Sequence, residues 1–190
     1  MDNLANHSKE IRVLKHKLSH TELTQEQLKA YTEAVANYYE ATGRFFGIPS
    51  DERKEELYLK AFELLAEFVD DVVSENFLLL FAIITQKLQE LNFDVSEAAI
   101  DKKIEIYLKF IKEYQFDSTD DEIYEHLLDK MYINLGFILL AGKELSQDEN
   151  AAHLMFEIVR RRGLVASAEE MLCRFELGND GKWYYCHKET

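Results

Sequence analysis

The sequence predicts an all-α protein of about eight helices packed as antiparallel hairpins, and three observations lead there. One Pro and seven Gly in 190 residues leave little punctuation for β-turns and favour long helices. Apolar residues recur at three- and four-residue spacing through most of the chain, which is the period of a helix with one buried face. Helix-start signals recur between those stripes: a Ser, Thr or Asp followed three residues later by Glu or Gln. The breaks between stripes are short enough to make sequential helices neighbours. At 47% hydrophobic, with 12 Phe and 10 Tyr, the chain has the apolar content to bury a core.

Residues 1–22 stand apart as a basic N-terminal segment carrying His7, Lys9, Arg12, Lys15, Lys17 and His20. Ile11, Leu14 and Leu18 share one helical face, so this segment reads as a short helix or a mobile tail. Residues 23–190 read as a single all-α domain. Thr24 with Gln27 forms a capping box, opening a helix to about Gly43 on the stripe Leu28, Tyr31, Val35, Tyr38. After Gly43, Gly47 and Pro49, Ser50 caps a helix whose first turn holds Asp51 and Glu52, where the dipole favours anions. Its stripe runs through Leu57, Ala61, Leu64, Leu65, Phe68, Val69 and Val72, which places Asp70, Asp71 and Glu75 near its end, against the dipole. Phe77–Asn92 is apolar nearly all round at its start and predicts a central helix. Its apolar run Phe77–Ile84 is far short of the roughly 20 residues a membrane span needs. Asp94 with Glu97 opens the next helix, on Ile100, Ile104, Tyr107, Leu108 and Ile111. Thr119 with Glu122 caps a long helix to Ala141, and Ser146 with Glu149 starts another that halts at Gly163. Ser167 with Glu170 starts a third segment, in which Ala168, Leu172 and Phe175 face one way before Gly178. The tail turns at Asn179-Asp180-Gly181, and Trp183-Tyr184-Tyr185 is expected to dock on the last helices as an aromatic cap over residues 179–190.

Within Met131–Gly178, Leu135-Gly136, then Gly142, Asp148, Ala152 and Gly163, resemble one unit of the Sel1-like repeat family, a tetratricopeptide-related α-solenoid. The good unit is Met131–Gly163, and a degenerate one follows. The resemblance implies a solenoid-like C-terminal half. In it the Leu-Gly pair lets two helices approach closely, a Gly-x-Gly turn reverses the chain, and the Asp opens the second helix. The chain departs from the pattern at Glu144, where the family has a second Gly, at Met155, where it has an aromatic, and at Val159-Arg160 and Cys173.

The net charge of −14 disfavours direct binding to nucleic acid or an anionic membrane, both of which need a cationic footprint. It favours a cationic protein partner. Asp117, Asp120, Asp121, Glu122, Glu125 and Asp129 cluster at a helix start beside Tyr114 and Tyr124. Glu67, Asp70, Asp71 and Glu75 form a second group, and Asp51, Glu52, Glu55 and Glu56 a third. If the hairpins bring these onto one face, they make an anionic surface with aromatic anchors, suited to Arg and Lys of a partner. The alternative is a solvated face whose acids complement helix starts.

No His-Glu-x-x-His, phosphate loop or Gly-x-Ser-x-Gly elbow occurs, and Glu122/His126 and Glu149/His153 lack the Glu-x-x-His spacing of di-iron helices. His16 and His20 would suit a metal at i,i+4, but no third ligand accompanies them. No enzyme, cofactor or metal is therefore expected. Cys173 and Cys186 have no CxxC spacing and fit reduced thiols in a cytoplasmic compartment, with Cys173 on an apolar helix face as a buried, inert thiol. The N-terminus lacks the pattern of a secretory signal. The leading expectation is an acidic binding module that neutralises a cationic protein, in its sharper form an immunity protein against a basic nuclease toxin. The alternatives are a Sel1/tetratricopeptide-like scaffold or adaptor that binds a peptide and, from another class, a helical hydrolase or RNase.

Overall fold

The computed structural model describes residues 23–44, 47–113, 122–163 and 165–186. Among them are seven helices and one small hairpin: α1 (Gln25–Ala41), α2 (Asp51–Ala66), α3 (Glu75–Glu90), α4 (Glu97–Glu113), α5 (Glu122–Ala141), α6 (Glu149–Arg161), α7 (Val165–Leu172), β1 (Phe175–Leu177) and β2 (Trp183–Tyr185). The chain forms two compact units, divided between Lys109 and Phe110. The expected N-terminal segment, residues 1–22, lies outside the described residues.

In the first unit α1 packs on α2, and α2 on α3. Both halves of the Thr24 capping box form: Gln27 N–H donates to Thr24 Oγ1 at 3.2 Å, and Thr24 N–H to Gln27 Oε1 at 2.9 Å. Ser50 Oγ accepts from Arg53 N–H at 3.3 Å and starts α2. The α2 helix stops at Ala66, so Phe68, Val69 and Val72 belong to the following turn rather than to its stripe. Carboxylates at Asp70 and Asp71 would oppose the C-terminal end of a longer helix, and the β-branched pair Val72-Val73 favours helix weakly. Val69 and Val72 stay buried from within the turn. Glu75 consequently opens α3 and lies with the dipole, which corrects the expectation that it opposes one.

The α3 run from Phe77 to Ile84 is wholly buried and forms the centre of this unit, with Tyr31 stacked on Phe77 and Phe62 on Phe81 at ring-centre distances of 6.0 and 5.5 Å. The α4 helix starts from Ser96, whose Oγ accepts from Ala99 N–H at 3.4 Å, rather than from Asp94. Its buried face is Ala99, Lys103, Ile106, Tyr107 and Phe110, and Leu108 is left exposed. The expected stripe was one position off. The Lys103 ammonium reaches two amide oxygens on α3, so the buried face of this helix includes a polar contact beside its apolar residues.

In the second unit α5 and α6 pack as a hairpin, and α7 packs on α6. Gly142, at φ 65°, makes the turn, and Asp148 N–H donates back to Leu139 O at 3.1 Å. The cap of α6 is Asp148, accepting from Ala151 N–H at 2.9 Å, so the helix starts there and not at Ser146. At Gly136 the helices approach closely. A Cβ there would stand 2.6 Å from Phe156 Cζ, so the ring sits where any side chain would be. Phe156, Ala152, Met171 and Phe175 form the core, with Leu139, Leu140, Leu172, Trp183 and Tyr185 against it.

The third segment departs from expectation. The α7 helix ends at Leu172, and Phe175 enters β1, which pairs antiparallel with β2 in the register Phe175↔Tyr185, Leu177↔Trp183. The aromatic tail therefore docks as a strand. The Asn179-Asp180-Gly181 turn, with Gly181 at φ 77°, lets the chain fold back so that Phe175, Trp183 and Tyr185 all face the α6 core.

Candidate protein-docking surface

The three acidic groups meet different fates. Glu67, Asp70 and Asp71 lie in the turn after α2 and Glu75 at the start of α3, all exposed. Along α2, Glu52, Glu55, Glu56 and Glu63 lie on the side away from buried Leu57, Ala61 and Leu65. Part of this charge is internally matched. Arg53 bridges Glu40 at 2.7 Å and Glu56 at 2.8 Å, Lys54 bridges Asp51, Lys60 bridges Glu56, and Lys102 bridges Asp70 at 3.2 Å. The hydrogen bond from Lys54 holds the Asp51 carboxyl below its ordinary range, and those from Lys60 and Arg53 do the same for Glu56. Glu52, Glu55, Glu63, Glu67, Asp71 and Glu75 make no ion pair among the described residues. Glu52, Glu55 and Glu63 on α2 thus form a strip of uncompensated carboxylates, continued along the chain by Glu67 and Asp71 in the turn and Glu75 at the start of α3.

The group at the start of α5 is different. Asp117, Asp120 and Asp121 lie outside the described residues, as does Tyr114. Glu122 is exposed and Tyr124 partly buried. Glu125 and Asp129, one turn apart, both hold the guanidinium of Arg162, which follows α6. Its Nε lies 2.5 Å from Asp129 Oδ1, and its Nη2 bonds Glu125 Oε2. The three side chains are only 12% (Arg162), 24% (Glu125) and 13% (Asp129) exposed, so the pairing is a tie between the N-terminal end of α5 and the C-terminal end of α6. Burial pushes the Asp129 carboxyl up, and Arg162 pulls it partly back. These two carboxylates are already neutralised from within. Sequence spacing gave Glu125 and Asp129 a shared face, but nothing in it pointed to Arg162.

Two further polar sites escaped the sequence reading. Lys103 is fully buried, and its Nζ donates to Gln86 Oε1 at 2.9 Å and Gln89 Oε1 at 2.5 Å. His153 lies between Phe175 and Trp183, and burial holds its imidazole below the ordinary value. Cys173 follows α7 and is exposed, which corrects the expected buried thiol, because the helix that would have covered it ends one residue earlier. Cys186 is free and partly buried. Among the described residues no cluster of three His, Cys, Asp or Glu could hold a metal ion, and no helix is long and apolar enough to cross a membrane.

No protein-family model matches the chain, and no curated protein or solved structure matches it either.

Proposed function

We propose that the chain is a binding module that captures a cationic protein and has no catalytic role of its own. The observation that carries this reading is the strip of unpaired carboxylates on α2 (Glu52, Glu55, Glu63), continued in the turn beyond it (Glu67, Asp71) and at the start of α3 (Glu75). Glu52, Glu55 and Glu63 are fixed on a helix whose other face is locked into a core, and together the six charges steer association. In the sharper form the module is a cytoplasmic immunity protein that covers the basic cleft of a nuclease toxin. The Glu122 end of α5 would contribute less, because Arg162 already occupies its neighbours Glu125 and Asp129.

The test is binding to a panel of basic nuclease domains beside neutral control proteins. Reversing Glu63, Glu67, Asp71 and Glu75 to Lys should weaken binding at least tenfold, or about 1.4 kcal/mol, and flatten its salt dependence while helicity is unchanged. Unaltered affinity in that variant would reduce the strip to solvated surface.

A second reading rests on Phe137 of α5 and Leu154 of α6, which are 45% and 52% exposed. Together with the ring of Phe156 seated on Gly136, they support a Sel1-like adaptor that takes an apolar peptide. Such binding would change little with salt, and that difference separates the two readings.

A further inference from the structure

The chain's single Trp sits where the C-terminal hairpin meets α6. The Trp183 indole lies parallel to the His153 imidazole, with 3.9 Å between ring centres and 8° between planes. Phe175 of β1 meets the same imidazole edge-on at 5.2 Å. The strands are three residues each, and a two-stranded ribbon of that size does not hold itself together in water. The α6 helix holds it instead. Asn150 Oδ1 accepts from Trp183 N–H at 2.8 Å, Glu149 Oε2 accepts from Tyr185 N–H at 2.9 Å, and His153 stacks one turn further on. Of these groups the imidazole is the one whose ordinary titration falls between about pH 5 and 8.

We propose that the hairpin is an acid-released strap: neutral His153 holds it against α6 through Trp183, and protonation of His153 frees it and uncovers the apolar surface around Phe156 and Met171. A charged ring in this position would stack on the indole and meet Phe175 edge-on, where partial burial takes away some of its hydration. Arg160 on α6 adds repulsion and Glu157 attraction. From β1 and β2 the groups that face the site are Phe175, Trp183 and Tyr185, the last with Arg174 on its hydroxyl at 3.3 Å. Glu149, one turn before His153, is directed to the β2 backbone. The indole face attracts a cation and offsets part of the cost. Burial is the largest influence and holds the imidazole below 6.5, so the docked state takes up a proton less readily than the released one. Docking is fully supported above pH 6.5 and weakens as pH falls from there through the lowered value. Across that window the released-to-docked ratio rises by up to about tenfold per pH unit.

The experiment follows Trp183 emission, amide exchange at Trp183 and Tyr185 (corrected for intrinsic rates), and the His153 ring protons from about pH 7.5 to about pH 5. The expected result is a reversible red shift and faster exchange, both tracking the His153 titration, with the pH dependence lost in His153→Gln. If His153→Gln is already red-shifted at neutral pH, coincidence of exchange with the ring titration in the unaltered chain decides. Three results would overturn the strap: dimming without a red shift or faster exchange, exchange that does not follow the ring protons, or the same transition in His153→Gln.

Discussion

Replacing Gly136 by Ala tests how the second unit is built, because two ordinary effects there have opposite signs. In an exposed helix interior the change would stabilise by up to about 1 kcal/mol, since glycine gives up more backbone freedom than alanine. At this position the new methyl would meet Phe156 Cζ at 2.6 Å, Cε1 at 2.9 Å and Cε2 at 3.0 Å. A phenyl ring cannot bend, and Phe156 is flanked by Phe137 at 5.5 Å and Phe175 at 6.2 Å, so the ring and its neighbours must shift. Such overpacking costs about 1–3 kcal/mol. The balance predicts a net loss of about 1–2 kcal/mol, read as a lower urea midpoint followed by Trp183 fluorescence, which reports the second unit. In a Phe156→Leu background the crowding ring atoms are gone, and Gly136→Ala should there be neutral or stabilising. The cycle should show a coupling of about 1–3 kcal/mol. A stabilising Gly136→Ala in the unaltered chain would refute the close approach.

Other substitutions probe the polar ties. Arg162→Gln leaves Glu125 and Asp129 one turn apart with no cation between them. It should cost about 1–3 kcal/mol in urea unfolding, and the Asp129 carboxyl should titrate still higher by NMR. Lys103→Met keeps most of the volume but removes the ammonium that donates to the Gln86 and Gln89 oxygens. A loss of about 1–3 kcal/mol is expected, and Lys103→Ala should lose more because it also opens a cavity. Replacing Gln86 and Gln89 by Leu in the Lys103→Met background should recover much of that loss; failure to do so would show that the two amides do not set the cost.

Much of the first unit could be read from residue order, because its signals are local. The Thr24–Gln27 box and the Ser50 cap each involve atoms three residues apart, and the all-apolar run Phe77–Ile84 has no solution except the middle of a core. What could not be read depended on contacts distant along the chain. Lys103 faces inward where Gln86 and Gln89 accept from it on another helix, and the buried stripe of α4 lies one position from the apolar one. Glu125 and Asp129 looked like free anions until Arg162, 33 residues beyond Asp129, was seen to close on them. The hairpin had a partial local signal in Asn179-Asp180-Gly181 between Phe175-Glu176-Leu177 and Trp183-Tyr184-Tyr185. Strands that short are settled by the helix they lie on, so the turn was legible and the strands were not.

The side chains of Glu149 and Asn150 have a consequence beyond fastening the ribbon. They take the two outward amide hydrogens of β2, Trp183 N–H and Tyr185 N–H, that another chain would use to extend the sheet. Two acceptors on a helix thus stand in for a third strand and deny a template for end-to-end polymerisation. Exchanging both for Ala would expose an aromatic edge prone to self-assembly.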